Sequence, residues 1–345
     1  MSSERSLIDR FLAGDTRRYV LGINAYSESV GRLVDVDGFI DDFTDNTEFL
    51  GKPILKTSVV PRDSLVLNAS LIRPFTAQKG LDARGIAHID YFAFFRESGL
   101  ALKPVKFWPA FAADYRENRH KYDWVASLMA DQQSTDTLRK LLAFMLDYDL
   151  EQMKGFQFAP LEQYFDPIIK FGDNESFVDI GGYDGETSKI FARHCPHYRA
   201  IHIFEPDAAN YSAILANIAG MRDAHAYNVG LYDEKTTLRF DNRATSFSRL
   251  STSGETIVQV DRLDNFQLEA VSYLKMDIEG AELNAIDGAA ETIRRLLPRL
   301  AISVYHRAQD FWTIPERILA LHPGYKVYLR HYTEGTDETV MYFLP

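Results

Sequence analysis

The segment with the most explicit chemistry is a glycine-rich turn that follows an apolar run. It reads Val178-Asp179-Ile180-Gly181-Gly182-Tyr183-Asp184-Gly185-Glu186-Thr187. Gly181 and Gly182 permit a tight turn and let a ligand approach the backbone, and Gly185 lets the next helix pack close to the strand. The start of that helix leaves backbone N–H groups available to an anionic group. The spacing therefore predicts a ligand site at a strand–turn–helix junction.

The charge next to this turn indicates which ligand it favours. A dinucleotide site would carry G-x-G-x-x-G directly after the strand, whereas this turn has G-G-x-x-G, with Asp179 two residues before the first glycine. A carboxylate there would repel a pyrophosphate but suits the cationic amino group of S-adenosylmethionine, whose carboxylate can take the helix N–H groups. The predicted cofactor contacts in this motif are Asp179, Gly181, Gly182, Tyr183, Asp184, Gly185 and Thr187.

Two further strand ends extend the predicted cofactor site. Glu205 ends the second strand of this region, where a carboxylate can accept hydrogen bonds from both ribose hydroxyls. Asn228 and Gly230 end the third strand, at a position that commonly lies beside adenine, although a simple strand-ending turn explains them equally well. The predicted contacts therefore also include Glu205, Pro206, Asn228 and Gly230.

Three side chains that follow later strands could remove a proton. Asp277 ends the fourth strand, Glu279 lies two residues on, and His306 follows a buried strand and can titrate near neutral pH. Transfer of a methyl group to oxygen needs an aligned hydroxyl and a group that takes its proton, so these three are the catalytic candidates. They could also bind a divalent metal, although the spacing does not require one. Glu282 is expected to interact with the helix dipole, and Lys275 to pair with a carboxylate.

Alternation of strand and helix patterns predicts an α/β fold for the segment that carries these residues. We expect a class I methyltransferase, Rossmann-like sheet that is mostly parallel and ends in an antiparallel C-terminal hairpin. The predicted domains are a small Rossmann-like α/β domain at 1–85, a helical connector at 86–162 and the methyltransferase domain at 163–345. One long helix is predicted over Ala281 to Leu296.

Composition narrows the partners and the compartment. The formal net charge is −11, from 38 basic and 49 acidic residues, so we expect no nucleic-acid partner. The single cysteine, Cys195, excludes an internal disulfide. The charged N-terminal segment lacks a signal-peptide core, and no run approaches the roughly 20 apolar residues of a membrane span. These features predict a cytoplasmic protein, allow a small-molecule substrate and leave a homo-oligomer open.

The motifs also resemble those of the FkbM-type methyltransferases. The matching runs are FVDIGGYDGETS, FEPDAANYSAILAN and YLKMDIEGAELNAIDGA, and the similarity extends from about Gln163 to Pro345. KMDIEGAE is the most specific element, and Tyr183 departs from the alanine or asparagine of many relatives. The resemblance implies S-adenosylmethionine-dependent O-methylation of a hydroxyl on a sugar, a nucleotide-linked sugar, a surface polysaccharide or a polyketide-like product.

The N-terminal region carries the runs Gly38-Phe39-Ile40-Asp41-Asp42 and Leu50-Gly51-Lys52-Pro53-Ile54. These runs resemble the small nucleotide-binding-like units found in sugar-modifying enzymes. Its turn Gly22-Ile23-Asn24-Ala25-Tyr26-Ser27 lacks a second and third glycine, so we expect substrate recognition or dimerisation there and no close phosphate contact. Two alternatives for the whole protein stay open from the residues. One is a nicotinamide-dependent oxidoreductase, because the glycine turn and Glu205 serve either cofactor, and the other is a non-catalytic binding protein that keeps the fold.

Overall fold

The chain forms two compact units in a computed structural model that describes residues 3–241, 249–250 and 256–345. The first unit comprises Met1–Ala113, Arg139–Ala159 and Tyr332–Asp337, and the second comprises Asp114–Leu138, Pro160–His331 and Glu338–Pro345. In the described part of the chain, no helix is both long enough and apolar enough to cross a membrane.

The first unit is built on a six-stranded sheet. Its elements are α1 (Ser3–Ala13), β1 (Arg18–Leu21), α2 (Ala25–Leu33), β2 (Gly38–Ile40), β3 (Glu48–Phe49), β4 (Lys52–Leu55), β5 (Leu65–Asn68), α3 (Pro74–Asp82), β6 (Ala87–Asp90) and α4 (Tyr91–Glu97). The strand order is β3-β4-β2-β1-β5-β6, and every pair is parallel except β3–β4. The predicted boundary at residue 85 is too early, because β6 pairs with β5 in this sheet.

Three helices follow in the region predicted as a connector. They are α5 (Ala110–Glu117), α6 (Arg119–Leu128) and α7 (Gln132–Asp147). α7 has the amphipathic character expected of a helix in the predicted connector, since Leu138, Leu141 and Met145 are buried. The region 86–162 is not a body of its own, because α6 belongs to the second unit while α4 belongs to the first. The pattern of apolar residues therefore located the helix but not the unit to which it belongs.

The second unit carries a seven-stranded sheet and a four-stranded one. Its elements are β7 (Ser176–Ile180), α8 (Glu186–His194), β8 (Ala200–Phe204), α9 (Ala208–Asn217), β9 (Ala224–Tyr227), β10 (Gly230–Leu231), β11 (Thr236–Asp241), β12 (Arg249–Leu250), β13 (Thr256–Asp261), β14 (Tyr273–Met276), α10 (Glu282–Gly288), α11 (Ala290–Leu296), β15 (Arg299–Ser303), α12 (Asp310–Leu321), β16 (Lys326–His331) and β17 (Thr339–Leu344). The large sheet has the order β16-β17-β15-β14-β7-β8-β9, and only β17 runs antiparallel to its neighbours. The predicted fold class is confirmed, including the antiparallel C-terminal hairpin.

The predicted helix Ala281 to Leu296 is two helices. They are α10 and α11, which meet at Ala289, where φ is −109° and ψ is 6°. A Cβ on Gly288 would lie 1.8 Å from the carbonyl oxygen of Tyr232, so the chain here packs backbone against backbone. The helical pattern of apolar residues continues through Ala289, so the sequence alone predicted a single helix. The break between α10 and α11 goes with the close backbone contact at Gly288.

Candidate active site

The site lies at the point in the large sheet where the order of strands along the chain reverses. From β7 the order continues through β8 and β9 on one side, and through β14 and β15 on the other. In parallel sheets the crevice for a ligand opens beyond the carboxyl ends of the strands at such a point. Gly181 follows β7 with φ +80°, and a Cβ there would lie 2.0 Å from the carbonyl oxygen of Asp277. Only glycine allows this turn and the end of β14 to approach so closely.

A buried ion pair lies beneath the turn. Asp179 is fully buried, and its Oδ1 lies 3.2 Å from Nζ of Lys275 while its Oδ2 accepts the hydroxyl of Ser188 at 2.8 Å. Lys275 also donates to the carbonyl of Gly181 at 2.6 Å. Burial disfavours the charge on Lys275, but the carboxylates of Asp179 and Asp277 raise its pKa. The predicted pairing of Lys275 is confirmed; direct contact between Asp179 and the cofactor stays a prediction, because Lys275 and Ser188 contact that carboxylate here.

Glu205 follows β8 and faces the same turn. It is 6% exposed, its Oε2 accepts the backbone N–H of Tyr183 at 3.0 Å, and its Oε1 accepts that of Asp207 at 2.9 Å. Burial raises the pKa of Glu205 by more than these two donors lower it. The Asn228 amide donates to the backbone carbonyls of Glu205 and Pro206 at 3.0 and 3.1 Å. Glu205 is thus bonded directly to the glycine turn, and Asn228 is connected to it through the backbone of Glu205.

The helix that opens after the turn has no side-chain cap. Its N-cap, Gly185, has φ +84°, and the side chain of Asp184 accepts the N–H of Glu186 at 3.0 Å. Thr187 lies half-buried in the first turn of this helix. Uncapped N–H groups at a helix N-terminus attract an anion. The first turn of α8 therefore offers donors to a carboxylate.

Two other predicted glycines are required by packing. A Cβ on Gly182 would lie 2.2 Å from Cγ2 of Ile203, and one on Gly230 would lie 3.2 Å from Val260 and 3.4 Å from Pro206. At both positions a side chain would push against neighbouring atoms. Their contact with a cofactor stays a prediction.

The three catalytic candidates form one cluster around a buried histidine. His306 is 4% exposed, and its Nε2 lies 3.3 Å from Oδ1 of Asp277 and 3.6 Å from Oε2 of Glu279. Its Nδ1 lies 2.8 Å from Oε1 of Glu282, which is 1% exposed. The expectation that Glu282 serves only the helix dipole is wrong, because α10 directs this side chain inward onto His306. Three carboxylates therefore surround one imidazole.

These contacts set the charge states. Burial lowers the pKa of His306, but Glu282, Asp277 and Glu279 together raise it to about 9. Burial raises the pKa of Asp277, but the charges on His306 and Lys275 outweigh burial and hold it below its ordinary value. Near neutral pH the imidazole is therefore protonated and the Asp277 carboxyl is ionised.

Known proteins resemble the chain over this region and beyond it. Residues 179–333 match the model of the methyltransferase FkbM domain. Residues 179–333 form an FkbM methyltransferase domain. The crystal structure of an FkbM methyltransferase from Methylobacillus flagellatus KT matches with a TM-score of 0.75 and 25% identity, covering 99% of this chain and 94% of that one. The curated "Methyltransferase 1" of Beauveria bassiana (strain ARSEF 2860) is 26% identical over 209 residues, which is 51% of this chain and 82% of that protein. The FkbM domain favours methyl transfer over the nicotinamide-dependent alternative.

Sequence reasoning missed two tyrosines that contact the FkbM domain's acidic cluster. Tyr164 donates its hydroxyl to Oδ2 of Asp277 at 2.7 Å, and the hydroxyl of Tyr305 lies 3.5 Å from both oxygens of that carboxylate. Burial and the Asp277 charge raise the pKa of Tyr164, which keeps it a donor. Gln163 in turn donates to the Tyr164 hydroxyl at 2.9 Å. The available signal was position, since Tyr164 lies next to Gln163, where the similarity to the FkbM-type methyltransferases begins.

Proposed function

We propose that the chain transfers a methyl group from S-adenosylmethionine to a hydroxyl of a sugar, a nucleotide-linked sugar or a surface polysaccharide. The main support for this proposal is that the residues of the glycine turn lie next to the acidic cluster around His306. The glycine turn with Glu205 adjoins the end of β14, and the end of β14 begins the cluster around His306. A site for a zwitterionic nucleoside and a site for proton removal therefore share one edge of the sheet.

The residues beside the turn fit this cofactor. Glu205 is held by two backbone donors and keeps lone pairs for the ribose hydroxyls, as the predicted contact requires. The uncapped turn of α8 suits the methionine carboxylate. When bound, S-adenosylmethionine supplies an electrophilic methyl group on its sulfonium. Asp179 would act mainly through Lys275, which ties the Gly181 carbonyl in place.

The acidic cluster supports the loss of a proton from the acceptor hydroxyl. The side chains of Asp277 and Glu279 are 22% and 23% exposed, whereas that of His306 is 2% exposed. We therefore assign the contact with the hydroxyl to the two carboxylates. His306 keeps them close together by opposing their mutual repulsion. A proton acceptor placed within hydrogen-bond reach contributes about 10²–10⁴-fold to the rate of such a step.

The substrate class rests on the FkbM resemblance and on charge. The net charge of −11 disfavours a polyanionic nucleic acid as acceptor. The cytoplasmic location and a homo-oligomer stay predictions.

Binding of S-adenosylhomocysteine, measured by calorimetry, tests the cofactor half of the proposal. Glu205→Gln should weaken binding about tenfold to hundredfold, because one hydrogen bond to a charged group contributes about 1.5–3 kcal/mol. Asp41→Asn is the matched control, because Asp41 follows β2 as Glu205 follows β8 and accepts the N–H groups of Phe43 and Thr44 at 2.8 and 2.9 Å. Equal affinity for both variants and wild type would exclude this cofactor site.

Transfer of labelled methyl to a panel of free sugars, nucleotide-linked sugars and polysaccharides tests the other half. Wild type should label at least one acceptor class. Asp277→Asn should lower the turnover rate with little change in affinity for S-adenosylhomocysteine. Tight cofactor binding without transfer to any acceptor in the panel would instead favour the non-catalytic alternative.

A further inference from the structure

We infer that His306, Asp277 and Glu279 bind a divalent metal ion, and that Glu282 orients the imidazole that holds it. Binding of the ion is independent of methyl transfer. Its use, to polarise the acceptor hydroxyl, rests on the proposed function. The argument starts from the two nitrogens of one buried ring.

The contacts of His306 distinguish its two ring nitrogens. Nδ1 lies at hydrogen-bond distance, 2.8 Å, from Oε1 of Glu282. An ionised carboxylate only accepts, so Nδ1 keeps its hydrogen, and a metal ion would take the place of the second ring proton at Nε2. Nε2 is buried and makes no hydrogen bond within the described part of the chain. Buried polar atoms in native proteins are rarely left in this state.

Two carboxylate oxygens stand at the spacing of metal ligands around Nε2. They are Oδ1 of Asp277 at 3.3 Å and Oε2 of Glu279 at 3.6 Å, both longer than an ordinary hydrogen bond. Two ligands about 2.1 Å from one ion lie roughly 3.0 Å apart at octahedral angles and roughly 3.4 Å apart at tetrahedral ones. Each oxygen therefore lies near the ligand spacing from Nε2, and a shift of the partly exposed Glu279 side chain would bring its oxygen to an ion bound by His306 and Asp277.

Glu282 has the position of an outer partner. One oxygen each from Asp277 and Glu282 and one nitrogen of His306 lie within 4.8 Å of one another, so Glu282 is close enough to be a ligand itself. However, its Oε1 already accepts the N–H of Ile278 at 3.0 Å as well as His306 Nδ1. A ligating histidine commonly donates its other N–H to a carboxylate, which fixes the tautomer and the orientation of the ring. We therefore place Glu282 behind His306.

Charge and access also favour a dication. Three carboxylates converge on one imidazole, and the adjacent Lys275 is already paired with Asp179. Like charges brought together at low exposure need a compensating cation. Asp277 and Glu279 keep about a fifth of their side-chain surface exposed, which leaves a side open to a water or a substrate hydroxyl. One nitrogen and two carboxylates suit a hard to intermediate ion such as Mn²⁺.

Mn²⁺ binding to the chain, followed by the loss of the free-ion electron paramagnetic resonance signal, tests the inference. Wild type should bind one ion per chain. His306→Gln and Glu279→Gln should each weaken binding at least about hundredfold, whereas Glu282→Gln should weaken it about 10–100-fold, as is usual for an outer partner. His225→Gln, at an exposed position on β9, is the histidine control and should bind as wild type does.

A second readout needs no substitution and settles the matter if a cluster variant fails to fold. Pulsed resonance of the wild-type Mn²⁺ complex should show the hyperfine coupling of a directly bound imidazole nitrogen. Lack of that coupling, absence of binding at millimolar Mn²⁺, or unchanged binding by folded His306→Gln would each overturn the inference. Calorimetry with S-adenosylhomocysteine in excess chelator keeps this result separate from the cofactor proposal, because cofactor binding should survive removal of the ion.

Discussion

The two units share one arrangement of backbone hydrogen bonds at their strand ends, called here the strand-end frame. The side chains that this frame carries differ between the units. In the first, the N–H of Gly22 donates to the carbonyl that ends β2 at 2.8 Å, and the N–H of Ala69 donates to the carbonyl that ends β1 at 2.9 Å. In the second, Gly181 and Asp277 make the corresponding bonds to β8 and β7 at 3.0 and 3.1 Å. The frame therefore repeats, but a buried alanine stands where the FkbM domain carries Asp277. Chemistry here comes from side chains and not from topology.

The helices that follow the two glycine turns, α2 and α8, also differ in how their N-termini are capped. Asn24 caps α2 by accepting the N–H groups of Tyr26 and Ser27 at 2.8 and 3.1 Å. Gly185 provides no such cap for α8. The first helix satisfies its own N-terminal donors, and the second leaves them for another group. The comparison predicts that changes in the second frame alter ligand binding, while matched changes in the first alter only stability.

The largest expected effect is on the buried pair. Lys275→Met leaves the fully buried Asp179 carboxylate without a cation and should lower the free energy of unfolding by about 3–5 kcal/mol. Lys52→Met removes the exposed pair with Asp35, whose side chain is 84% exposed, and should leave the free energy of unfolding nearly unchanged. Urea unfolding measures both. Similar losses of unfolding free energy for the two variants would show that burial does not make one ion pair more important for stability than the other.

The glycines give the next effect. Gly181→Ala combines a left-handed φ with a Cβ 2.0 Å from a backbone oxygen, and should cost at least about 1–3 kcal/mol and lower S-adenosylhomocysteine affinity by tenfold or more. Gly22→Ala, with φ +104° and its nearest contact at 3.0 Å to the Asn24 amide, should cost about 1–2 kcal/mol and leave affinity unchanged. Thermal unfolding and calorimetry separate the two outcomes. A loss of S-adenosylhomocysteine affinity in Gly22→Ala would contradict the expectation that only the second unit binds the cofactor.

The pH profile of cofactor binding should report Glu205. Burial raises the pKa of this carboxyl above its ordinary value of 4.5, and a protonated carboxyl loses acceptor capacity. As pH falls, affinity for S-adenosylhomocysteine should therefore drop at a pH above 4.5. Calorimetry at a series of pH values checks this. The drop should vanish in Glu205→Gln and persist in Asp41→Asn, and a profile that Glu205→Gln leaves intact would assign the titration elsewhere.

The smallest expected effect is on the capped helix. Asn24→Ala removes the cap of α2 and should lower the free energy of unfolding by about 1 kcal/mol. Affinity for S-adenosylhomocysteine should stay at the wild-type value, since this cap lies in the first unit. Denaturant unfolding and calorimetry on the same sample give both numbers. A weaker cofactor affinity here would show that the first frame does contribute to binding.

Local patterns predicted much of the second unit and part of its site. The turn at Gly181, the antiparallel β16–β17 hairpin and the pairing of Lys275 follow from residue type and short-range alternation. The contact between Glu282 and His306 was not predicted, because the two residues are 24 positions apart in the sequence and meet only in the folded chain. The complete burial of Asp179 was also hidden, since the lysine that neutralises it lies on a neighbouring strand.

The sequence by itself determined the order of elements and the residue types at the strand ends. The conformational freedom of glycine, helix periodicity and apolar runs depend on a few neighbouring residues, so they can be recognised from the sequence without a structure. Only the tertiary structure decided which charges meet. Whether a carboxylate such as Asp179, Glu205 or Asp277 is paired, raised in pKa or open to a ligand depends on groups brought within a few ångströms by sheet register, and Coulomb energy at low exposure is set by those distances.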